Sequence, residues 1–192
     1  SVPQSVSVLP GEDATFYTAI SGRGPFNYRW QRASTLRTND YANRNFSVFT
    51  VKGVTTTVTG EYSVVVTNPV GTRITSPTAR LSLLTDADND KMADEWEVVY
   101  GLKPNDPSDA NLDSDGDGVS NFEEYQAGTD PKDRQSYLKI DALHSDDTGT
   151  TVEFFAQSNR TYTVEFKESV TGGLWQTLTN VMISTNNRPE IV

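Results

Sequence analysis

The chain has 192 residues, a net charge of −10 and no cysteine, which suggests one to three small domains and excludes disulfides, thiolate catalysis and zinc–cysteine sites. The acidity is concentrated in residues 86–133, which hold 15 acidic residues and 3 lysines, whereas the remaining chain carries +2. Nucleic acid is therefore not an expected partner, because phosphate binding needs clustered Lys and Arg. Membrane insertion is not expected either, since no run approaches the roughly 20 apolar residues needed to span a bilayer.

Residues 1–84 are predicted to form a β-sandwich. In the stretch ATFYTAI, the period of two of a strand places four residues on one face: Ala14, Phe16, Thr18 and Ile20. Further strand-like runs are NYRWQ, FSVFTV, EYSVVVTN and TARLSLL, which recur at intervals of roughly 8 to 12 residues between turns such as GRGP and NPVG. The polar stretch LRTNDYANRNF is predicted to be a long loop that exposes Tyr41.

The phrases PGEDATF, YRW, GEYSVVVTNPVG and ARLSLL together resemble an immunoglobulin-like domain of the bacterial surface type. The resemblance implies that Trp30 is the core tryptophan of the third strand and that Tyr62 occupies the tyrosine corner. It also implies that Thr18 and Val64 stand at the positions of the two cysteines that such domains often carry.

The stretch DSDGDGVSNFEE has the spacing of a twelve-residue calcium loop. Such a loop binds the ion through side chains at positions 1, 3, 5, 9 and 12 and through a backbone carbonyl at position 7, with a glycine at position 6 for the sharp turn. In chain order these ligand positions are filled by Asp113, Asp115, Asp117, Val119, Asn121 and Glu124. Gly118 fills position 6. We expect Val119 to contribute its carbonyl and Glu124 to bind with both oxygens.

An earlier stretch, DADNDKMADEWE, repeats this spacing. Its ligand positions are filled by Asp86, Asp88, Asp90, Met92, Asp94 and Glu97, with Met92 contributing its carbonyl. Lys91 stands where the glycine belongs. A residue with a side chain enters the left-handed region at a cost of about 1 kcal/mol, so this loop is expected to be strained.

Both loops lead into a short helical stretch that carries aromatic residues and stops at a glycine. Oxygen ligands without His or Cys favour Ca²⁺ over transition metals, and a carboxylate-rich cage suits Ca²⁺ better than Mg²⁺. The phrases WEVVYGL, NDPSDA and EEYQAGTDP resemble the thrombospondin type 3 and EF-hand-like repeats of secreted bacterial proteins, which implies a calcium-binding repeat at residues 85–135 with two or more ions. Further ligands from outside the loops are a hypothesis: Asp106, Asp109 and Asp130. The alternative is a solvated acidic linker.

Residues 136–192 are predicted to form a small antiparallel, sandwich-like β module. The runs YLKIDAL, TTVEFFAQ, RTYTVEFKES and LWQTLTNVMI alternate apolar and polar residues, with SNR and TGG as turns. RTYTVEFKES and LWQTL resemble small β modules near the C-termini of large secreted bacterial proteins. Because those modules continue past a sequence such as NNRPEIV, and because immunoglobulin-like domains have a further strand before PQSVSV, we expect each β domain to be short of one edge strand.

The sequence favours a structural protein over an enzyme. Its single histidine, His144, lies in a polar stretch and completes no catalytic triad. The resemblances imply an extracellular or cell-surface bacterial protein, such as a stalk, an adhesin or a filament subunit. If edge strands are missing, a terminal segment of one copy would complete the next copy and build a head-to-tail filament. The alternative is a carbohydrate-binding accessory region of a secreted polysaccharide-degrading enzyme, in which Tyr41 and other exposed aromatic residues bind glycans.

Overall fold

The computed structural model describes residues 1–33, 35–146, 149–157, 160, 162–169, 171–181 and 187–192. The chain divides into two compact units. The first comprises Ser1–Ala87 and Ala93–Glu95, and the second comprises Asp88–Met92 and Trp96–Val192. Strands predominate in both units, so the mainly β class predicted from the sequence is confirmed.

The first unit is a two-sheet immunoglobulin-like sandwich. Its strands are β1 (Val6–Val8), β2 (Ala14–Ala19), β3 (Phe26–Arg32), β4 (Thr35–Ala42), β5 (Phe46–Val51), β6 (Gly60–Thr67), β7 (Arg73–Thr75) and β8 (Ala79–Leu83). One sheet has the order β1-β8-β6-β3-β4, with β7 also paired to β6, and the other sheet is β2-β5. Strand β1 runs parallel to β8, and the remaining pairs are antiparallel.

Large aromatic side chains fill the core between these sheets. Trp30 is fully buried and stacks on Phe49, with the ring centroids 5.7 Å apart. Its indole Nε1 donates a hydrogen bond to Ser47 Oγ at 3.1 Å. The Tyr62 hydroxyl donates to the backbone oxygen of Val58 at 2.7 Å, four residues upstream. This bond is the tyrosine corner, so both roles that the resemblance implied are confirmed.

Thr18 and Val64 are the two residues that the resemblance placed at the cysteine positions of related domains. Thr18 and Val64 are both buried, at 5% and 1% exposure. Thr18 Oγ1 donates to the backbone oxygen of Ser1 at 3.1 Å, so burial leaves its hydroxyl with a partner. Both positions therefore lie in the interior of the sandwich.

The polar stretch predicted to be a loop contains most of a strand, and the loop prediction is wrong for residues 36–42. These residues belong to β4, which pairs along β3 from Phe26↔Ala42 to Arg32↔Thr35. Most of its described side chains are exposed and the others are half-buried, so the strand shows no apolar alternation from which it could be recognised. Its backbone hydrogen bonds to β3 stabilise it instead. The side chain of Tyr41, proposed above as an exposed aromatic, lies outside the described part of the structure.

Three short helices lie in the acidic part of the chain: α1 (Asp94–Tyr100), a 3-10 turn (Asp109–Asn111) and α2 (Asn121–Ala127). Ser120 caps α2 in a reciprocal capping box with Glu123, and the helix ends at Gly128, whose φ is +80°. Helix α1 ends in the same way at Gly101, with φ +68°. The two predicted helical stretches, each after an acidic loop and each ending at a glycine, are confirmed. No described helix is long and apolar enough to cross a membrane.

The remaining strands of the second unit are β9 (Ile140–Asp146), β10 (Gly149–Ala156), β11 (Tyr162–Phe166), β12 (Gln176–Val181) and β13 (Arg188–Ile191). They form a sheet of order β13-β10-β9 and a separate β11-β12 pair, all antiparallel. Phe154, Ala156 and Val181 form a small buried cluster. The sequence predicted β9 to β12 but not β13, in which Pro189 lies on a sheet edge, where it costs no ladder hydrogen bond.

Candidate metal centre

Asp113 organises the second acidic loop through backbone amides. Its Oδ1 accepts a hydrogen bond from Gly116 N at 2.6 Å, and its Oδ2 accepts one from Gly118 N at 2.9 Å. Gly116 and Gly118 have φ angles of +80° and +100°, which residues with a Cβ rarely adopt. The amide of Gly118, followed by those of Gly116 and Asp117, holds the pKa of Asp113 below its usual range. Asp113 is therefore an ionised carboxylate that holds the loop closed.

Asp115 and Asp117 each use one oxygen for the loop and leave the other oxygen available. Asp115 Oδ1 accepts from Asp117 N at 3.1 Å, and Asp117 Oδ1 accepts from Val119 N at 2.8 Å. The Oδ2 atoms of both residues are buried and have no hydrogen-bond partner among the described residues. Carboxylate oxygens of Asp113, Asp115 and Asp117 lie within 4.8 Å of one another. The alternate spacing thus places three carboxylates around one point.

Two buried polar residues at the start of α2 lie beside this loop. Asn121 and Glu124 are both 0% exposed. The Asn121 Nδ2 donates to the backbone oxygen of Asp109 at 2.7 Å, and Glu124 Oε1 accepts from Thr129 Oγ1 at 3.3 Å. Asn121 Oδ1 and Glu124 Oε2 have no partner in the described structure. Burial and then the charges of Asp115 and Asp117 raise the pKa of Glu124 to about 7.

The first loop repeats the local geometry of the second. Asp88 Oδ1 accepts from Asp90 N at 3.3 Å, and Asp90 Oδ1 accepts from Met92 N at 2.8 Å. Asn89 and Lys91 have φ angles of +63° and +75°, at the positions that glycines fill in the second loop. The expected left-handed conformation of Lys91 is confirmed. Oxygens of Asp86, Asp88 and Asp90 lie within 4.8 Å of one another.

The remaining predicted ligands of the first loop differ in their environments. Asp94 lies at the start of α1, where its Oδ1 accepts from Ala87 N at 2.8 Å. The side chains of Met92 and Glu97 are fully buried. Glu97 is one helical turn beyond Asp94 on α1, as position 12 of the loop requires. A carboxylate at 0% exposure calls for a compensating cation or hydrogen bonds.

Asp109 joins the first loop from outside it. It is 5% exposed, and its carboxylate lies within 4.8 Å of those of Asp90 and Glu97. Its Oδ2 accepts from Lys103 N at 2.8 Å, whereas its buried Oδ1 has no hydrogen-bond partner in the described part of the chain. The same residue contacts the second loop through its backbone oxygen and Asn121. Asp109 thus connects the two acidic loops.

Asp106 and Asp130, the other two suggested extra ligands, have different roles. Asp106 forms an ion pair with Lys103 at 3.0 Å and accepts from Ser108 Oγ at 2.6 Å, so its oxygens serve a surface turn. Asp130 Oδ1 accepts from Lys132 N at 2.9 Å. Neither residue belongs to a carboxylate group that the described residues bring together.

Aromatic residues connect the two helices and the C-terminal strands within the second unit. The ring of Trp96 on α1 lies edge-on to Tyr125 on α2, with the centroids 5.1 Å apart. Arg160 contacts Tyr125 as well. Its guanidinium lies 5.5 Å from the centre of the Tyr125 ring and donates to the Tyr125 backbone oxygen at 2.5 Å. The Tyr162 hydroxyl donates to Ala127 O at 3.3 Å. The end of α2 therefore holds the start of β11.

The donor set fits calcium. It consists of carboxylate and amide oxygens, which are the ligands of hard cations, and six of these side chains have a buried oxygen without a partner among the described residues: Asp88, Asp109, Asp115, Asp117, Asn121 and Glu124. Buried oxygens of this kind are rare in folded proteins unless a ligand satisfies them. The region therefore has the geometry of a cation site and not that of a solvated linker.

The lone histidine lies outside this region. His144 is exposed in β9, where its Nε2 is 3.9 Å from Glu153 Oε2. It lies within a strand. An exposed His–Glu pair of this length is an ordinary surface contact.

Two family models match the sequence. Residues 1–81 match the immunoglobulin I-set domain, and residues 113–133 match the bacterial TSP3 repeat. The chain therefore combines an immunoglobulin I-set domain with a bacterial TSP3 repeat, as its sequence predicted. TSP3 repeats bind calcium, and both kinds of module are typically structural parts of extracellular proteins. The matched repeat contains the second loop and α2, and the first loop lies before it.

Similarity to whole proteins is limited to part of this chain. No curated protein matches the sequence. Among solved structures, the chain is similar to a chimeric titin Z1Z2-Z1Z2 tandem, at 30% identity over 44% of this chain and 47% of that chain, with a TM-score of 0.38. It is also similar to titin domains Z1Z2 in complex with telethonin (32% identity, 43% and 44%, TM-score 0.37) and to the twitchin kinase region from C. elegans (22%, 43% and 15%, 0.38). The chain spans less than half the length of each of these structures.

Proposed function

We propose that this chain is a non-enzymatic structural or adhesion protein of a bacterial surface, in which bound calcium makes the acidic repeat rigid. The observation that carries the proposal is the burial of Glu97, Glu124 and Asp109 in an acidic region. Burying a carboxylate costs several kcal/mol unless a nearby positive charge compensates it. Calcium is abundant outside cells, so sites with dissociation constants of about 10⁻⁴ M would be occupied there.

The proposed ligands form two sets. The first ion is held by Asp86, Asp88, Asp90, the Met92 carbonyl, Asp94 and Glu97, with Asp109 added from outside the loop. The second ion is held by Asp113, Asp115, Asp117, the Val119 carbonyl, Asn121 and Glu124. When bound, calcium supplies positive charge and a coordination centre. Asp88, Asp115 and Asp117 each hold the loop backbone with one oxygen and offer the other to the ion.

Calcium binding would be coupled to folding of the repeat. Residues 86–133 carry 15 acidic residues against 3 lysines, and this charge opposes a compact state in the absence of cations. Ligation would hold α2 in place, and α2 in turn contacts Arg160 and Tyr162 through its C-terminal carbonyls. We therefore infer that calcium also stabilises the C-terminal module. The division at residues 84/85 and 135/136 stays a prediction.

We also propose that copies of this chain associate with one another. Ser1 N donates to Ala19 O at 2.8 Å and β1 pairs with β8, so the start of the chain already covers edges of the sandwich. The C-terminal module is more open: Ile140 is 64% exposed on the terminal strand β9, and Leu174 and Trp175 are 86% and 62% exposed. Among the described strands β9 pairs with β10 alone, and a sheet edge in a module with exposed apolar residues favours addition of a strand from another copy.

The test of the calcium proposal is a titration of the whole chain. We expect isothermal calorimetry to find at least two ions, and calcium at 100 times its dissociation constant to stabilise the fold by about 2.7 kcal/mol. Limited proteolysis with chelator should cut within residues 86–133, and calcium should protect them. Unchanged melting and proteolysis on chelation would overturn the proposal. Sedimentation across protein concentrations, with calcium present, tests self-association separately, and a monomer throughout would exclude it.

The role of Asp109 has its own test. Asp109→Asn removes a charge from the group with Asp90 and Glu97 and keeps the side-chain volume. We expect calcium affinity at the first loop to fall by at least about tenfold, because even groups behind the ligands contribute 10- to 100-fold. The matched control is Asp106→Asn, which removes the same charge from a surface turn. Equal affinities in the two variants would show that Asp109 is not a ligand.

A further inference from the structure

The outer face of the larger sheet of the first unit contains a groove of about 470 Å³, here called the strand-face groove. It is lined by Asn27, Arg29, Leu36, Asn39, Thr67 and Arg73. The volume is in the range of small-molecule sites. Nothing in the calcium chemistry uses these residues, because they all lie in the immunoglobulin-like sandwich.

Strand register explains why these side chains meet. Asn27 lies opposite Thr67 on β6, and Thr67 lies opposite Arg73 on β7. Arg29, two residues after Asn27 on β3, lies opposite Asn39 on β4. Residues that are opposite or two apart share a face, so the lining is a continuous surface across four strands. Tyr28 and Trp30, which alternate with these residues along β3, point into the core, where both are fully buried.

The groove carries positive charge that its own domain does not neutralise. Residues 1–84 contain eight basic and four acidic residues. Two of those acids are engaged elsewhere, since Asp13 pairs with Lys52 at 2.6 Å and Asp40 with Arg44 at 2.5 Å. No described carboxylate lies within 4.0 Å of the guanidinium groups that line the groove. Although the whole protein has a net charge of −10, the groove presents two exposed arginines that are available to bind an anion.

The rest of the lining specifies a ligand that also donates hydrogen bonds. Asn27 Oδ1 is buried and has no hydrogen-bond partner among the described residues, and an amide oxygen can be satisfied only by a donor. Asn39 and Thr67 can each donate and accept. Sulfate offers no donor. A peptide that binds by strand addition needs an open strand edge, whereas this groove lies on a sheet face.

We propose that the strand-face groove binds a saccharide that carries carboxylate groups. Arg29 and Arg73 take the carboxylate through charge-assisted hydrogen bonds, and Asn27, Asn39 and Thr67 bond to ring hydroxyl groups. Leu36, 49% exposed at the margin, offers an apolar contact to the carbon face of a sugar. This inference goes beyond the structural role proposed above and does not depend on calcium binding.

The experiment measures binding of a uronic-acid tetrasaccharide to the whole chain by calorimetry. Its comparison ligands are a neutral tetrasaccharide, inorganic sulfate and a glutamate-rich peptide. Each titration is run with calcium and with chelator, because uronates bind calcium themselves and the chelator arm excludes bridging by the ion. We expect the uronate to bind more tightly than each comparison ligand. Its affinity should fall as the salt concentration rises from 0.1 M to 1 M, because the electrostatic screening length drops from about 10 Å to about 3 Å.

The variant Arg29→Gln/Arg73→Gln should lower uronate affinity by about 100-fold, since each charge-assisted hydrogen bond contributes a factor of ten or more. The control Arg23→Gln/Arg80→Gln makes the same charge change outside the groove and should bind as the wild type does. Both variants change exposed side chains, and matching melting temperatures would verify their folding. Equal uronate binding by the two variants would overturn the proposal, as would tighter binding of the peptide, the sulfate or the neutral sugar.

Discussion

Glu124→Gln should have opposite effects on the chain with and without calcium. In the ion-free protein, Glu124 is fully buried beside Asp115 and Asp117, and its pKa is raised to about 7. A raised pKa means that the folded state disfavours the ionised form. The resulting cost to stability is absent below the unfolded pKa, grows as the pH rises through 7, and is fully present at pH 8.

The size of the effect follows from the shift. The pKa moves from 4.5 to about 7, and each unit corresponds to about 1.4 kcal/mol, so ionised Glu124 costs the ion-free fold up to about 3 kcal/mol at pH 8. Glutamine has nearly the same shape and no charge, so the variant removes this cost. With calcium present, the variant instead loses a carboxylate ligand at position 12. We expect its calcium affinity to fall by at least about tenfold.

The assay is thermal and chemical unfolding at pH 8, with chelator and with calcium, together with calorimetric titration. Glu95→Gln is the matched control, because Glu95 is an exposed residue of α1 and the chemical change is the same. The variant Glu124→Gln should be more stable than the wild type in chelator and less stable in calcium. Destabilisation of equal size in both conditions, or unchanged calcium affinity, would refute the reasoning that Glu124 is a ligand.

Three further outcomes are expected. Calcium affinity should fall by about tenfold between pH 8 and pH 6, because the proton that Glu124 holds with a pKa of about 7 must leave before it can bind the ion; an affinity independent of pH contradicts this. Lys91→Gly should stabilise the calcium-bound protein by about 1 kcal/mol by relieving a φ of +75°, whereas Lys91→Ala should not, as melting curves would show. Ser47→Ala should cost the sandwich about 1 to 3 kcal/mol, with or without calcium, because it leaves the buried Trp30 N–H without its acceptor; calorimetry would measure this loss, and a calcium-dependent loss would contradict it.

Local spacing explains why much of the calcium region could be predicted from the sequence. Alternate aspartates and a glycine form a turn in which the bonds between aspartate oxygens and backbone amides span five residues or fewer, such as Asp113 with Gly118. The helix stops at Gly101 and Gly128 are equally local. For the same reason the bacterial repeat and the tryptophan and tyrosine of the sandwich were recognisable. Each of these features depends on residues close together in the chain or on a family pattern that fixes their spacing.

Contacts between distant segments could not be predicted from local spacing. Strand β4 has polar, exposed side chains, so only its pairing with β3 identifies it. The strand-face groove exists because register brings Arg29 and Arg73 to one face from strands 44 positions apart in the chain. Neither feature has a periodic signature, because the stabilising partner lies elsewhere in the sequence.

The sequence alone determined which oxygens the two acidic loops offer, since the spacing of carboxylates within twelve residues decides which of them can turn toward a common point. Only the tertiary structure decided that Asp109 joins Asp90 and Glu97 while Asp106 stays at the surface. Both aspartates lie in the same polar stretch and have the same chemistry. What separates them is burial, which arises when the chain between the loops folds back and brings one carboxylate, and not the other, against α1.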